Sequence, residues 1–325
     1  MKVCIYGAGA IGGLIAGRLA RVPGVRVSLV ARGAQLEAIR TRGLRIQEGT
    51  SHSYCEVHAT GDPSALGHQD YVFVTLKAQQ FTPALDGITR LLGPKTVVIP
   101  PTTTIPYWYF HRLAGAHEGR QIEALDPGGR QWETIAPSRV LGCVFRVAAD
   151  SVEPGVVRQT GSYARLPLGE PDGNMSERAQ LLSGVMEQAG FDAPVVPNIR
   201  GWLWHKMISS LCWNPLAVLT QATWGELAEQ PRVNAMARRM MAEADAVASA
   251  LGGTVPLSLE ERMAAPASAR DHKMSMLQDL ERGRPLEFET IIESIRAMSA
   301  IAGVSTPTIE EVYALLALRA GAGKR

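Results

Sequence analysis

The opening run Met1-Lys2-Val3-Cys4-Ile5-Tyr6-Gly7-Ala8-Gly9-Ala10-Ile11-Gly12-Gly13-Leu14-Ile15-Ala16-Gly17-Arg18 decides the fold. Residues 3–6 are apolar, branched or aromatic, too few for a helix and suited to a buried strand. Gly7, Gly9 and Gly12 then stand in the spacing G-x-G-x-x-G, with Gly13 directly after. From Ile11 to Leu19 the apolar side chains fall on one helical face. Strand, glycine turn and helix in this order predict the phosphate-binding entry to a doubly wound α/β sheet. Gly7 makes the tight turn, Gly9 lets backbone approach a pyrophosphate, and Gly12 lets the helix lie close on the strand. Gly7, Ala8, Gly9, Ala10, Ile11 and Gly12 are therefore the candidate cofactor loop. Its phosphates sit at a helix N-terminus, where free N–H groups and the dipole favour anions. The spacing alone leaves NAD, NADP and FAD open, and also a glycine-rich loop with no ligand.

The next strand narrows the choice. Residues 25–31 read as a strand after the turn Pro23-Gly24, and NAD-binding versions carry an acidic residue near its end for the ribose hydroxyls. Here the end reads Val30-Ala31-Arg32-Gly33, with no carboxylate. An arginine suits a 2′-phosphate, so Arg32 favours NADP(H), the alternative being a solvated loop charge. Residues 35–42 predict a helix stopped by Gly43. Residues 44–47 and 54–59 predict a short hairpin. Residues 71–76 form the next core strand, which ends in Lys77, at the sheet edge where open α/β folds bind ligands. Residues 96–99 give a further strand, and Pro100-Pro101-Thr102-Thr103-Thr104-Ile105-Pro106 a stiff loop at that same edge.

Composition excludes more than it selects. With 33 basic and 31 acidic side chains among 325 residues, no strong field points to nucleic acid or a membrane surface. Cys4, Cys55, Cys143 and Cys212 lack any metal or redox spacing and read as reduced, mostly buried thiols. No apolar run is long enough to span a bilayer, and the glycines of the N-terminus fit a turn better than a signal peptide. The cytoplasm is the expected compartment, where the sequon Asn174-Met175-Ser176 has no meaning.

Strands are expected again at 140–148, 155–159 and 163–168, then an amphipathic helix over 175–189 closed by Gly190. Beyond Pro194 and Pro197 helical periods dominate as far as Leu318. We expect two domains, an α/β half over 1–195 and an all-helical half over 196–325, with a frayed tail over 321–325.

In the second half, Trp202, Lys206, Ser210 and Asn214 recur every four residues and line one helix face. A lysine among Trp202, Trp204, Met207, Ile208, Leu211 and Trp213 is costly to bury unless paired, so its presence calls for a function; the alternative is a lysine snorkelling at a helix surface. Pro215 suggests a kink, with Asn214 capping the next segment. Residues 272–281 predict a helix broken at Gly283. Pro285 is expected in the first turn of the following helix, with Glu287 near its N-terminus, where the helix dipole alone could account for it.

Taken in order, these motifs resemble the ketopantoate reductase (2-dehydropantoate 2-reductase) family over nearly the whole chain. The resemblance rests on Gly7-x-Gly9-x-x-Gly12-Gly13, Arg32, Val74-Thr75-Leu76-Lys77, the helix of Trp204 to Pro215, and Lys273 to Asp279 with Glu287. It implies an N-terminal Rossmann domain, a helical C-terminal domain and an active site in the cleft between them. It also implies NADPH-dependent reduction of a 2-oxo acid in pantothenate biosynthesis, and commonly a homodimer. By the same resemblance Lys206 is the general acid on the 2-oxo oxygen, and Glu287 orients the lysine and the substrate hydroxyl. Asn214 and Ser275 bind substrate, Lys77 lies near the nicotinamide ribose, and Arg32 binds the 2′-phosphate. No metal is implied.

Two positions depart from the family pattern. Thr103-Thr104 replaces the usual Asn-Gly before Ile105-Pro106, and Ser210 replaces the usual asparagine between Lys206 and Asn214. Both alter a substrate-side pocket to which Thr103 and Ser210 contribute, so a 2-oxo acid other than ketopantoate competes as substrate. The segment 113–137 is longer than compact members need and is expected to shape the cleft. Two further readings compete: a catalytically silent NADP(H)-binding sensor, which has no need of Lys206 with Glu287, and a flavoprotein on the same glycine loop.

Overall fold

In the computed structural model, which describes residues 1–322, the opening run forms strand β1 (Lys2–Tyr6) and helix α1 (Ala10–Leu19). There follow β2 (Arg26–Val30), α2 (Gly33–Arg42), β3 (Leu44–Glu48), β4 (Ser51–Cys55), β5 (His58–Thr60), β6 (Gln69–Val74), α3 (Phe81–Thr89) and β7 (Leu92–Ile99). Then come α4 (Arg130–Thr134), β8 (Gly142–Cys143), β9 (Arg146–Glu153), β10 (Val156–Arg165), β11 (Leu168–Gly169) and α5 (Glu177–Gln188). The helical part holds α6 (Ile199–Thr220), α7 (Trp224–Glu229), α8 (Pro231–Ala250), α9 (Leu259–Ala264), α10 (Ser275–Glu281), α11 (Phe288–Ala302) and α12 (Pro307–Ala322).

Contacts divide the chain into two units. One comprises Met1–Thr102 with Pro106–Ile199, and the other Thr103–Ile105 with the chain from Arg200 on. No helix among the described residues is long and apolar enough to cross a membrane.

The first unit is built on a parallel sheet of order β5-β2-β1-β6-β7. Its central strands are continuous apolar runs because both faces are covered. The order reverses between β1 and β6, which makes their carboxyl ends the crevice where such sheets bind ligands. Helix α1 is buried on nearly every side rather than on one face. The reason is a second sheet, of order β4-β3-β10-β9, that the sequence reading did not contain. A Cβ on Gly13 would lie 2.6 Å from Val157 Cγ2, and one on Gly17 would lie 2.6 Å from Ile46 Cγ1. These two glycines let the second sheet press against α1.

Several expected boundaries move for the same reason. The predicted hairpin is present, with its second arm at Ser51–Cys55 instead of 54–59. β3 pairs with β4 from Leu44↔Cys55 to Glu48↔Ser51 across the two-residue turn Gly49-Thr50. Residues 58–60 leave it to join the parallel sheet beside β2. The single strand expected over 140–148 is split at Val144-Phe145, where the Val144 N–H donates to the Pro167 carbonyl. Conversely, the strands expected at 155–159 and 163–168 merge into β10, whose register with β9 shifts between Gln159 and Ala164 around Gly161 (φ 69°). Helix α5 matches its expectation: Ser176 caps it by accepting from the Ala179 N–H, and Gly190 (φ 81°) closes it.

In the second unit Pro215 does not end α6, which runs through to Thr220, so Asn214 is not a cap. The run Leu211–Val218 is buried throughout, and that packing outweighs the hydrogen bond that proline cannot donate. The helix expected from 272 begins at Ser275, because Met274 is extended (φ −59°, ψ 147°) and the His272 carbonyl accepts from the Trp224 N–H at 2.9 Å. Pro285 precedes α11 rather than entering its first turn, which leaves Glu287 at the N-cap position. Helix α12 continues through Gly321 and Ala322, where a frayed tail was expected; residues 323–325 lie outside the described residues. It buries Ile309, Val312, Tyr313 and Leu316 and turns Leu315 and Leu318 outward.

Candidate active site

The first unit gathers the candidate cofactor residues at the carboxyl edge of its parallel sheet. Gly7 follows β1 with φ 119°, a conformation that glycine tolerates and that lets the chain turn sharply into α1. Gly9, extended at φ −74° and ψ −167°, precedes the helix, and no side chain caps it. The Gly13 N–H donates to the Gly9 carbonyl at 2.8 Å as the first helical bond, so the N–H groups of Ala10, Ile11 and Gly12 have no intrahelical partner. A Cβ on Gly9 would meet nothing within 4 Å, whereas one on Gly12 would overlap the Gly7 carbonyl and Thr75 Oγ1. The loop is thus open where a pyrophosphate would approach and closed where the helix meets the strand.

Arg32 follows β2 at the N-cap position of α2 and is exposed. The first turn of α2 carries no acidic residue, so arginine and helix terminus together suit a phosphate. Burial raises the pKa of the Tyr6 phenol, while the nearby charge of Arg32 opposes the shift. Lys77 follows β6 partly buried, its N–H donating to Gln80 Oε1 (3.2 Å) and its carbonyl accepting from the Gln80 N–H (2.9 Å). Open backbone at Gly9, uncapped helix termini and an exposed arginine fit a phosphorylated dinucleotide.

Within the second unit, Trp202, Lys206 and Ser210 share a partly open face of α6, while Leu203, Trp204, Met207, Ile208 and Leu211 are buried. Asn214 ends that face at 3 % exposure. Its Nδ2 donates to the Ser210 carbonyl (3.1 Å), and its Oδ1 accepts from the Met276 N–H (3.0 Å) and from Ser275 Oγ (3.4 Å). The structure therefore brings Asn214 and Ser275 together and makes Asn214 the clasp between α6 and the first turn of α10. Ser275, expected inside a helix, stands exposed at its start. Glu287 is partly buried at the head of α11, and its carboxylate does not cap that helix. Thr103 is exposed and belongs by its contacts to this unit.

Truncating Asn214 leaves the buried Met276 N–H without an acceptor, which costs about 1–3 kcal/mol. Asn214→Ala should therefore lower the thermal midpoint, whereas Ser275→Ala, exposed and 3.4 Å away, should leave it nearly unchanged. Equal midpoints for the two variants would remove Asn214 from the clasp.

Two residues that the sequence reading did not select hold the candidate cofactor loop from outside it. Thr75 Oγ1 donates to the Gly7 carbonyl at 2.7 Å, and Gln35 Nε2 donates to the Ala8 carbonyl at 2.5 Å. Thr75 lies inside the strand-end motif before Lys77, but nothing local marks its hydroxyl as a donor to the loop. Gln35 lies on a helix and carries no motif at all. All four cysteines are free and buried, and burial pushes the Cys4 thiol up to about 12. Among the described residues no cluster of His, Cys, Asp and Glu could hold a metal.

Comparison with known proteins bears on the same residues. Residues 3–101 match the family described as ketopantoate reductase PanE/ApbA, and residues 198–320 the one described as ketopantoate reductase PanE/ApbA C terminal. Over 316 residues, 97% of either chain, the protein is 42% identical to a 2-dehydropantoate 2-reductase of Mesorhizobium japonicum. A crystal structure from Ralstonia solanacearum MolK2, provisionally called a ketopantoate reductase, superposes with a TM-score of 0.91 at 37% identity, covering 99% of this chain and 98% of that one. D-mandelate dehydrogenase, solved with NADH and anilino(oxo)acetate, shares the fold at 20% identity, with a TM-score of 0.83 over 100% of this chain and 99% of that one.

Proposed function

Because the chain belongs to the ketopantoate reductase PanE/ApbA family, we propose that it reduces a 2-oxo acid, 2-dehydropantoate foremost, to the 2-hydroxy acid with NADPH. The cofactor, when bound, supplies the hydride to C2 of the acid. Lys206 holds the 2-oxo oxygen through its ammonium and gives it the proton that completes the hydroxyl. A cation aimed at the oxygen that gains negative charge stabilises the transition state more than the ground state. Glu287 orients that ammonium and accepts from the substrate hydroxyl. Ser275 and Ser210 offer hydroxyls to the carboxylate and hydroxyl of the acid, Asn214 its remaining amide hydrogen, and Thr103 a hydroxyl on the substrate side. Gly7 to Gly12 cradle the pyrophosphate, Arg32 takes the 2′-phosphate and Lys77 steadies the nicotinamide ribose.

The observation that carries this reading is the partly open face of α6, where Lys206, Ser210 and the Asn214–Ser275 pair follow one another at four-residue spacing. A second reading, a different 2-oxo acid, is favoured by Ser210 and Thr103, short hydroxyl side chains that leave more room than an amide. The fold shared with D-mandelate dehydrogenase does not choose between acids.

Turnover of a panel of 2-oxo acids, followed by loss of the reduced cofactor, tests both readings. Ketopantoate should exceed unbranched acids in kcat/KM by at least about tenfold. A higher value for another 2-oxo acid selects the second reading, and no turnover of any of them ends both. In the same assay Arg32→Ala should raise KM for NADPH roughly tenfold and leave KM for NADH unchanged, the size expected for one exposed charge-assisted contact to phosphate.

A further inference from the structure

The peptides that lead into α1 are held from behind by two side chains. The Gly7 carbonyl accepts from Thr75 Oγ1 at 2.7 Å, while the Thr75 N–H donates to the preceding carbonyl, that of Tyr6, at 3.0 Å. One residue at the end of β6 therefore grips two successive carbonyls where β1 turns. The Ala8 carbonyl accepts from Gln35 Nε2 at 2.5 Å. Gln35 is itself fixed, because its Oε1 accepts from the Gly155 N–H at 2.5 Å and its Nε2 lies 3.5 Å from Ser151 Oγ. Gly155 occupies the turn between β9 and β10 at φ 81°. Thr75 ties the loop to the parallel sheet, and Gln35 ties it through α2 to the second sheet.

A trans peptide sets its C=O and N–H on opposite sides of the bond, and no peptide among the described residues is cis. Drawing the Gly7 carbonyl to Thr75 turns the Ala8 N–H the other way, and drawing the Ala8 carbonyl to Gln35 does the same for Gly9. Neither N–H has an acceptor among the described residues, and the side of Gly9 where a Cβ would stand is open. Each carbonyl that could compete for these donors is already occupied from behind. The orientation of Gly9 in turn sets the start of α1, whose own first N–H groups are free.

We propose that Thr75 and Gln35 are positioning residues for cofactor binding: they lock the peptides 7–8 and 8–9, so that the N–H groups facing the pyrophosphate are aimed before the cofactor arrives. Both act through the backbone carbonyls of the loop. Their effect is to remove backbone freedom that binding would otherwise have to freeze. Gln35 does so from α2, anchored to the second sheet through Gly155, so the loop is held even though its glycines resist no rotation themselves. The proposal rests on reading Gly7 to Gly12 as the pyrophosphate loop and is independent of which acid is reduced.

Calorimetric titration of the full chain with two ligands tests it. NADPH carries the pyrophosphate; 2′-AMP carries adenine, ribose and the 2′-phosphate but no 5′-phosphate. Thr75→Val and Gln35→Met keep shape and remove the hydrogen bonds. Each should weaken NADPH roughly 5- to 30-fold, the equivalent of one freed residue, and change 2′-AMP by less than about twofold. Thr75→Ser, which keeps the hydroxyl, should restore NADPH binding. At saturating NADPH, kcat should match the wild type, so the change appears in KM alone. Undiminished NADPH binding in both variants overturns the proposal, as does an equal loss on both ligands, which would mark a general structural role. If the wild type binds NADH and not NADPH, the 2′-phosphate reading fails, and the same losses must then appear on NADH and not on adenosine, which has no 5′-phosphate; losses on neither or on both overturn the proposal. If it binds neither, loop and locks fall together.

Discussion

Lys206→Ala lowers turnover by about 100-fold or more while the affinity for NADPH changes by less than about twofold, because a positioned general acid contributes some two to four orders of magnitude. Lys206 lies on the partly open face of α6, and alanine is the best helix former, so the helix itself does not suffer. The loss belongs to the step in which the carbonyl oxygen gains charge and needs a proton. It therefore appears in kcat and kcat/KM alike, which distinguishes a transition-state interaction from uniform substrate binding. Lys206→Arg stays slow despite its charge, because a guanidinium is too weak an acid and places its donors in a fixed fork. Steady-state kinetics with a parallel cofactor titration decides the matter. Turnover near wild type in Lys206→Ala would remove this side chain from the chemistry.

Gly12→Ala should abolish measurable cofactor binding, weakening NADPH by about 100-fold or more and costing about 1–3 kcal/mol of stability through overpacking. The added Cβ would overlap the Gly7 carbonyl and Thr75 Oγ1 and stand 3.1 Å from Ile5 Cγ2. Helix α1 cannot retreat, since Gly13 and Gly17 are already pressed against Val157 and Ile46 on its far side. The strain therefore falls on the glycine turn, where it breaks the Thr75 lock and redirects the peptides that face the phosphates. Gly9→Ala is the control: its Cβ meets nothing within 4 Å, so the melting temperature should hold while NADPH binding falls. A Gly12→Ala protein that binds NADPH as well as wild type would show that α1 and the turn are not wedged together.

Local pattern was enough for much of this protein. Strand, glycine turn and helix in the first nineteen residues declare themselves through spacing alone, since a turn at φ 119° and an uncapped helix start demand particular residues at particular places. Arg32 in place of a carboxylate, and a four-residue recurrence from Trp202 to Asn214, are equally local signals; Gly9 and Arg32 end up exposed, and Trp202, Lys206 and Ser210 partly so. What only the tertiary structure decided are the pairings between distant stretches. β3 runs parallel to β10 with Arg45 opposite Val156, and nothing within either segment names the other. The same holds for the Met276 N–H that claims Asn214, for the buried surroundings that carry α6 past Pro215, and for the Gln35 amide that reaches Ala8 and Gly155. Periodicity and turn chemistry act over a few residues and can be read one segment at a time. A hydrogen bond between residues far apart in the chain exists only once folding has set two backbones within about 3 Å, and no single segment contains that distance.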